Sequence, residues 1–144
     1  MNWHSMKFVK ISQTEMGNIR TLYEGVMASA SHGLFYREGI LTGSEIVRIA
    51  MDEEGDLLET ATRLLVARGW AEEVEFNGHG VTVHGSIEAG SASAPTCHRL
   101  RGVFKRLYEA AEHKKVLCEE EECESLGSSG CVFKITNLEE ETDD

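Results

Sequence analysis

No apolar run in this sequence approaches the length needed to cross a bilayer, so no spanning helix is expected. Basic residues are scarce. Fourteen lysines and arginines face 25 aspartates and glutamates, a net charge of −11. A surface for duplex nucleic acid needs a basic face, so neither nucleic acid nor a membrane is expected as a partner. No two of the four cysteines lie two to four apart, which excludes a zinc-finger knuckle. No Gly-x-Gly-x-x-Gly or phosphate loop is present, and residues 85–90 lack the strand–turn–helix setting that such a loop requires. No Ser-His-Asp spacing suggests a hydrolase, and no catalytic residue is assigned. Lys7 and Lys10 are not followed by a long apolar stretch, so no secretion signal is expected and the compartment is read as cytoplasmic and reducing. There, four cysteines point to metal or free thiols before disulfides.

What is present suits one ordinary domain. The chain has 144 residues, 41% apolar and 27% charged, enough for a real core and too few for two. Residues 1–13 read as a lead-in, 14–136 as the domain and 137–144 as an acidic tail. Residues 1–5 carry no structural weight, and residues 7–12 suit an edge strand or an extended approach. A helix is expected over 14–31, weakened by Gly17 and Gly25. Residues 32–41 hold a dense apolar patch. Thr42 and Glu45 have capping-box spacing and open a second helix through Met51. Asp56 and Glu59 repeat that signal before a helix that Gly69 ends. The period then changes to two. Val74 and Phe76 alternate with glutamates, Asn77-Gly78 marks a turn, and Val81 and Val83 share a face, which reads as a hairpin. After a loop rich in Ser and Ala, Leu100, Val103, Phe104, Leu107 and Tyr108 give an amphipathic helix. Strands at 116–118 and 132–135 form a second hairpin. This order predicts an α+β domain, an antiparallel sheet of about four strands with helices packed on it.

Three cysteines and a run of carboxylates gather between Cys97 and Cys131. Cys97 precedes a helix, where amides and the dipole favour a thiolate. Glu120 ends a strand, Cys123 lies in the turn, and Cys131 opens the return strand. The hairpin can bring these together as a tetrahedral zinc site, or they can remain unliganded thiols beside a solvated acidic run. Cys118 shares a strand face with Glu120. It is either the fourth ligand in its place or a small buried apolar residue. His98 points away from such a site. His79 and His84 read as solvated.

Cys97 with its helix-opening motif, Glu120-x-x-Cys123, Gly127 and Cys131-Val132-Phe133 together resemble the C-terminal signature of the 4-vinyl reductase domain family. The resemblance extends less sharply through Tyr36-Arg37-Glu38-Gly39, Gly43 and Gly69-Trp70, and covers about residues 15–136. The family includes sensor domains of aromatic-responsive activators, a protein linked to bacteriochlorophyll synthesis and stand-alone archaeal proteins. Its fold is like that of TRAPP subunits and of NO-signalling ligand-binding domains. The resemblance implies a homodimeric domain that binds a small molecule, with a structural zinc held by Cys97, Glu120, Cys123 and Cys131. The family name denotes a reductase, but no nicotinamide or flavin signature is present.

The leading functional expectation is a sensor or carrier of a hydrophobic or aromatic ligand, such as a phenol or hydrocarbon. The alternatives are a dimeric protein-interaction module or an enzyme of tetrapyrrole metabolism. The pocket is expected between Val74 and Phe76 of the first hairpin and Phe35 and Tyr36, with His32, Tyr36 and Arg101 as polar contacts. The apolar surface over residues 19–41 exceeds what one small sheet covers, which predicts a homodimer.

Overall fold

The computed structural model describes residues 6–138; the expectations for residues 1–5 and for the charged end of the tail, 139–144, lie outside them. Residues 6–12 of the lead-in are in neither helix nor strand. Ser12 accepts from the Glu15 amide while the Glu15 carboxylate accepts from the Ser12 amide, a capping box that opens α1 (Gln13–Met27). Helix α1 stops short of residue 31. Ala28 takes a positive φ of 52°, breaks the helix and lets the chain start again.

Helix α2 (Ala30–Met51) corrects the sequence reading at residue 42. Thr42 opens no helix; it lies inside one continuous rod that starts twelve residues earlier, at Ala30. The cause is packing. Ser31, Phe35, Gly39, Gly43, Ile46, Val47, Ile49 and Ala50 form the buried stripe, and half of it is small residues. A Cβ on Gly39 would lie within van der Waals radii of the Arg99 backbone, and one on Gly102 would do the same at the Tyr36 carbonyl. The two glycines therefore let α2 cross α4 (His98–Glu112) almost backbone to backbone. Asp56 caps α3 (Leu57–Ala67) by accepting from the Glu59 amide, as expected, and Gly69 follows with φ 83°.

The sheet runs β1 (Glu73–Asn77), β2 (Gly80–His84), β4 (Cys131–Asn137), β3 (Val116–Glu122), with every neighbour antiparallel. Both later strands are longer than expected, and β4 takes in Asn137, which the sequence reading put in the tail. Strands β1 and β2 turn at Gly78, whose φ is 57°. One face of the sheet carries Val81, Val83, Cys118, Cys131, Phe133 and Ile135, all buried in the core with Leu100, Val103, Phe104 and Leu107 of α4. Helix α2 packs on α4 in turn. The α+β architecture is the one that the period changes predict.

Candidate metal centre and apolar cavity

A bulge in β3 sets the site. Glu120 and Cys123 are three apart, and in a regular strand they would face opposite sides of the sheet. The pairing of β3 with β4 slips between Glu120 and Glu122, and the extra residue returns Cys123 to Glu120's side. Cys123 then precedes a short 3-10 turn, Glu124–Leu126, that leads to Gly127 and the return strand. Cys97 arrives from the α4 N-terminus. One ligand atom each from Cys97, Glu120, Cys123 and Cys131 lies within 4.8 Å of all the others. The three cysteines are fully buried, and the Cys97 and Cys131 sulfurs are 3.5 Å apart.

The donor set fits a borderline-soft divalent cation such as zinc, which takes thiolates and a carboxylate. A second observation agrees. Glu120 Oε1 accepts from the Cys97 amide at 3.1 Å, while Oε2 is buried with no hydrogen-bond partner among the described residues. Burial pushes the Glu120 carboxyl up to about 8, with Cys123 adding to the rise. The thiols divide a shortage of charge. Hydrogen bonds with Cys131 and Cys97 hold Cys123 far below an ordinary thiol, and bonds with Cys123 and Cys131 hold Cys97 far above one. A bound cation would supply positive charge to several of these groups at once.

Loop residues that the sequence reading passed over surround this cluster. The Glu124 amide donates to Cys131 Sγ at 3.3 Å. Ser86 Oγ lies 3.2 Å from Cys97 Sγ, and Thr96 Oγ1 lies 3.7 Å from Cys123 Sγ. The Glu124 carboxylate is fixed in turn by the amides of Gly85 and Ser86. Cys97 gives α4 no side-chain cap; buried Glu88 replaces it, accepting from the amides of Leu100 at 2.9 Å and Arg99 at 3.1 Å. No local motif marks these residues, because each bonds an element distant in sequence. Cys118 is buried outside the four, and burial raises its thiol to about 12. His98 is stacked on His32 at 4.1 Å, and His32 meets Glu24 at 2.6 Å.

The expected pocket residues lie in separate places. Phe76 packs on Phe104 and Tyr108, and Val74 is buried in the same core. Tyr36 carries the Arg101 guanidinium over its ring at 4.2 Å, and Phe35 carries that of Arg99 at 4.3 Å. None of these five lines an apolar-walled cavity of about 740 Å³ that opens between residues 8–11, α1, α2 and the end of α3. Ile11, Ile19, Tyr23, Trp70 and Ile87 contribute apolar walls, and Arg68 and Arg99 contribute charge. The lead-in and Trp70 carry no periodic signal that would have joined them to this wall.

The chain is thus an α+β domain, a four-stranded antiparallel sheet under two layers of helix with a Cys₃Glu cluster at one end. Solved structures with this fold include the phenol-responsive sensory domain of the transcription activator PoxR with phenol. It aligns over 96% of this chain and 80% of that one, with a TM-score of 0.78 and 22% identity. They also include a vinyl-4-reductase family protein from Methanocaldococcus jannaschii, over 92% of this chain and 99% of that one, with a TM-score of 0.60 and 14% identity. At these identities the likeness is one of fold, and it is the fold that the cysteine signature implied. No protein-family model and no curated protein matches the chain. No helix among the described residues is long and apolar enough to cross a membrane.

Proposed function

We propose that this chain is a small-molecule-binding sensory domain of the 4-vinyl reductase type, in which Cys97, Glu120, Cys123 and Cys131 hold a structural zinc ion. The observation that carries the binding role is the 740 Å³ apolar-walled cavity, a volume suited to a compact organic ligand. It sits in a fold that one solved member uses as a phenol-responsive domain. The ligand belongs in that cavity rather than at Phe35, Tyr36, Val74, Phe76 and Arg101. Four protein ligands would close the zinc coordination, so the metal would fasten β3 and β4 to the start of α4 and leave no position for reacting water. A thermal-shift screen with phenols, indoles and hydrocarbons tests the binding role. A binder raises the melting temperature by mass action, and Ile19→Glu, which puts a carboxylate into the wall, abolishes the rise. A series in which no compound stabilises the wild type would end the small-molecule reading.

Elemental analysis tests the metal. One zinc ion per chain is expected, lost in Cys123→Ser together with about 3 kcal/mol or more of stability, because metal binding is coupled to folding. Cys118→Ser should keep its metal. Loss of zinc there would place Cys118 in the coordination sphere.

A homodimer accompanies this reading. Helix α1 has no fully buried residue although it carries Ile19, Leu22, Tyr23 and Val26, and a second copy of the chain is the occupant proposed for that face.

A further inference from the structure

The cavity is positively biased inside an acidic protein. The chain carries a net charge of −11, yet the cavity lining includes Lys10, Arg68 and Arg99 against the single carboxylate of Glu38. Arg99 is compensated. Its Nη1 lies 3.5 Å from Glu88, its Nε lies 3.4 Å from Glu38, and its guanidinium rests on Phe35. Arg68 is different. Its guanidinium sits over the Phe8 ring at 4.8 Å, and its Nη1 is buried with no hydrogen-bond partner among the described residues. Glu45 acts on it only through space, and burial outweighs that help and lowers its pKa. A guanidinium stays protonated in proteins. Burying Nη1 beside apolar walls without a partner therefore leaves a place for an acceptor oxygen, best an anionic one.

The cover over this cation is easily displaced. Phe8 lies in residues 6–12, which are in neither helix nor strand, so its ring can move aside without breaking a ladder of backbone bonds. Lys10, on the same segment, brings a second positive charge to the cavity mouth.

We propose that the cavity takes an apolar molecule ending in a carboxylate, an aromatic or short aliphatic monocarboxylic acid, with the Arg68 guanidinium holding the acid group. The apolar body lies against Ile19, Tyr23, Trp70 and Ile87. The planar fork of donors on arginine matches a carboxylate edge, which makes this recognition geometric as well as electrostatic. This deepens, and rests on, the small-molecule reading of the same cavity.

Isothermal titration of the full chain with a matched pair, 3-phenylpropionate and 3-phenylpropanol, tests the assignment. The acid should bind about tenfold tighter than the alcohol or better, as expected for a hydrogen bond to a charged group. Arg68→Met should weaken the acid by about tenfold and leave the alcohol unchanged, and Arg68→Lys should recover part of the loss. Binding of the alcohol as tight as that of the acid would overturn the carboxylate assignment and leave a small-molecule site standing. So would an Arg68→Met variant that keeps the acid preference. If neither compound binds, this proposal fails; if the phenols, indoles and hydrocarbons of the wider series are also silent, the small-molecule reading fails with it. The wild-type comparison is decisive even if Arg68→Met does not fold.

Discussion

Glu88 shows how one buried carboxyl can hold two elements and still be a burden. It caps α4 from a distant loop, and burial pushes it up to about 7 against the opposing bonds from Leu100 and Arg99. Between its ordinary value of 4.5 and about 7, the folded chain keeps a proton that the unfolded chain has released. The stabilisation is therefore full below that window and is lost as the pH rises through it, by up to about 3 kcal/mol. His98 works in the opposite sense. Burial lowers it to about 4, so the folded state loses stability as the pH falls from 6.5 toward that value. The two slopes partly cancel in the wild type. Glu88→Gln removes one of them and mimics the protonated carboxyl, so the denaturant midpoints of variant and wild type should lie closer at about pH 5.5 and separate by about pH 7.5, where the wild type has lost this contribution and the variant has not. An unchanged difference across that range would mean that Glu88 is ionised throughout.

At the level of elements, the α2–α4 crossing carries the sharpest prediction. Gly102→Ala drives a methyl group into the Tyr36 carbonyl, backbone against backbone, and no side chain can yield. It should cost about 3 kcal/mol or more, read as a lowered denaturant midpoint with an unchanged slope. Gly25→Ala is the counterpart. It lies in α1 with nothing within 4 Å of the new Cβ, so it should stabilise the chain by up to about 1 kcal/mol. The same crossing explains what the sequence hid. Apolar periodicity found α3, both hairpins and α4, because their buried positions are Leu, Val and Phe at regular spacing. It missed the length of α2, because a stripe of Ser31, Gly39 and Gly43 has no hydrophobic signal and declares itself only when a second helix presses on it. The grouping of Cys97, Glu120, Cys123 and Cys131 was legible because thiols and carboxylates are scarce, distinctive residues at fixed separations. The bulge that brings Cys123 to Glu120's side, and the loop groups of Ser86, Glu88 and Glu124, were not. They depend on register and on backbone amides, which no residue type announces.

The whole molecule leaves one face unexplained by a single chain. Helix α1 has 15 residues, too few to be stable in water by its own propensity, and none of them is fully buried. What it lacks in burial it keeps in apolar surface: Leu22 is 62% exposed and Val26 77%, with Tyr23 between them. On α2, Leu34 and Leu41 are also exposed. The dimer proposed above would cover this face, since a two-fold copy would bring the same stripe. The acidic charge of the chain does not oppose this, since the stripe itself is uncharged. Sedimentation equilibrium at micromolar concentration should give a dimer. Val26→Glu places a charge in each half of a self-complementary interface, twice per dimer, and should shift the equilibrium to monomer without displacing zinc. The monomeric variant should also lose helix content at α1, visible as faster amide exchange over Gln13–Met27 while α4 stays protected. A wild type that sediments as a monomer, with α1 as slow to exchange as α4, would show that α1 is stable without a partner and would defeat the dimer.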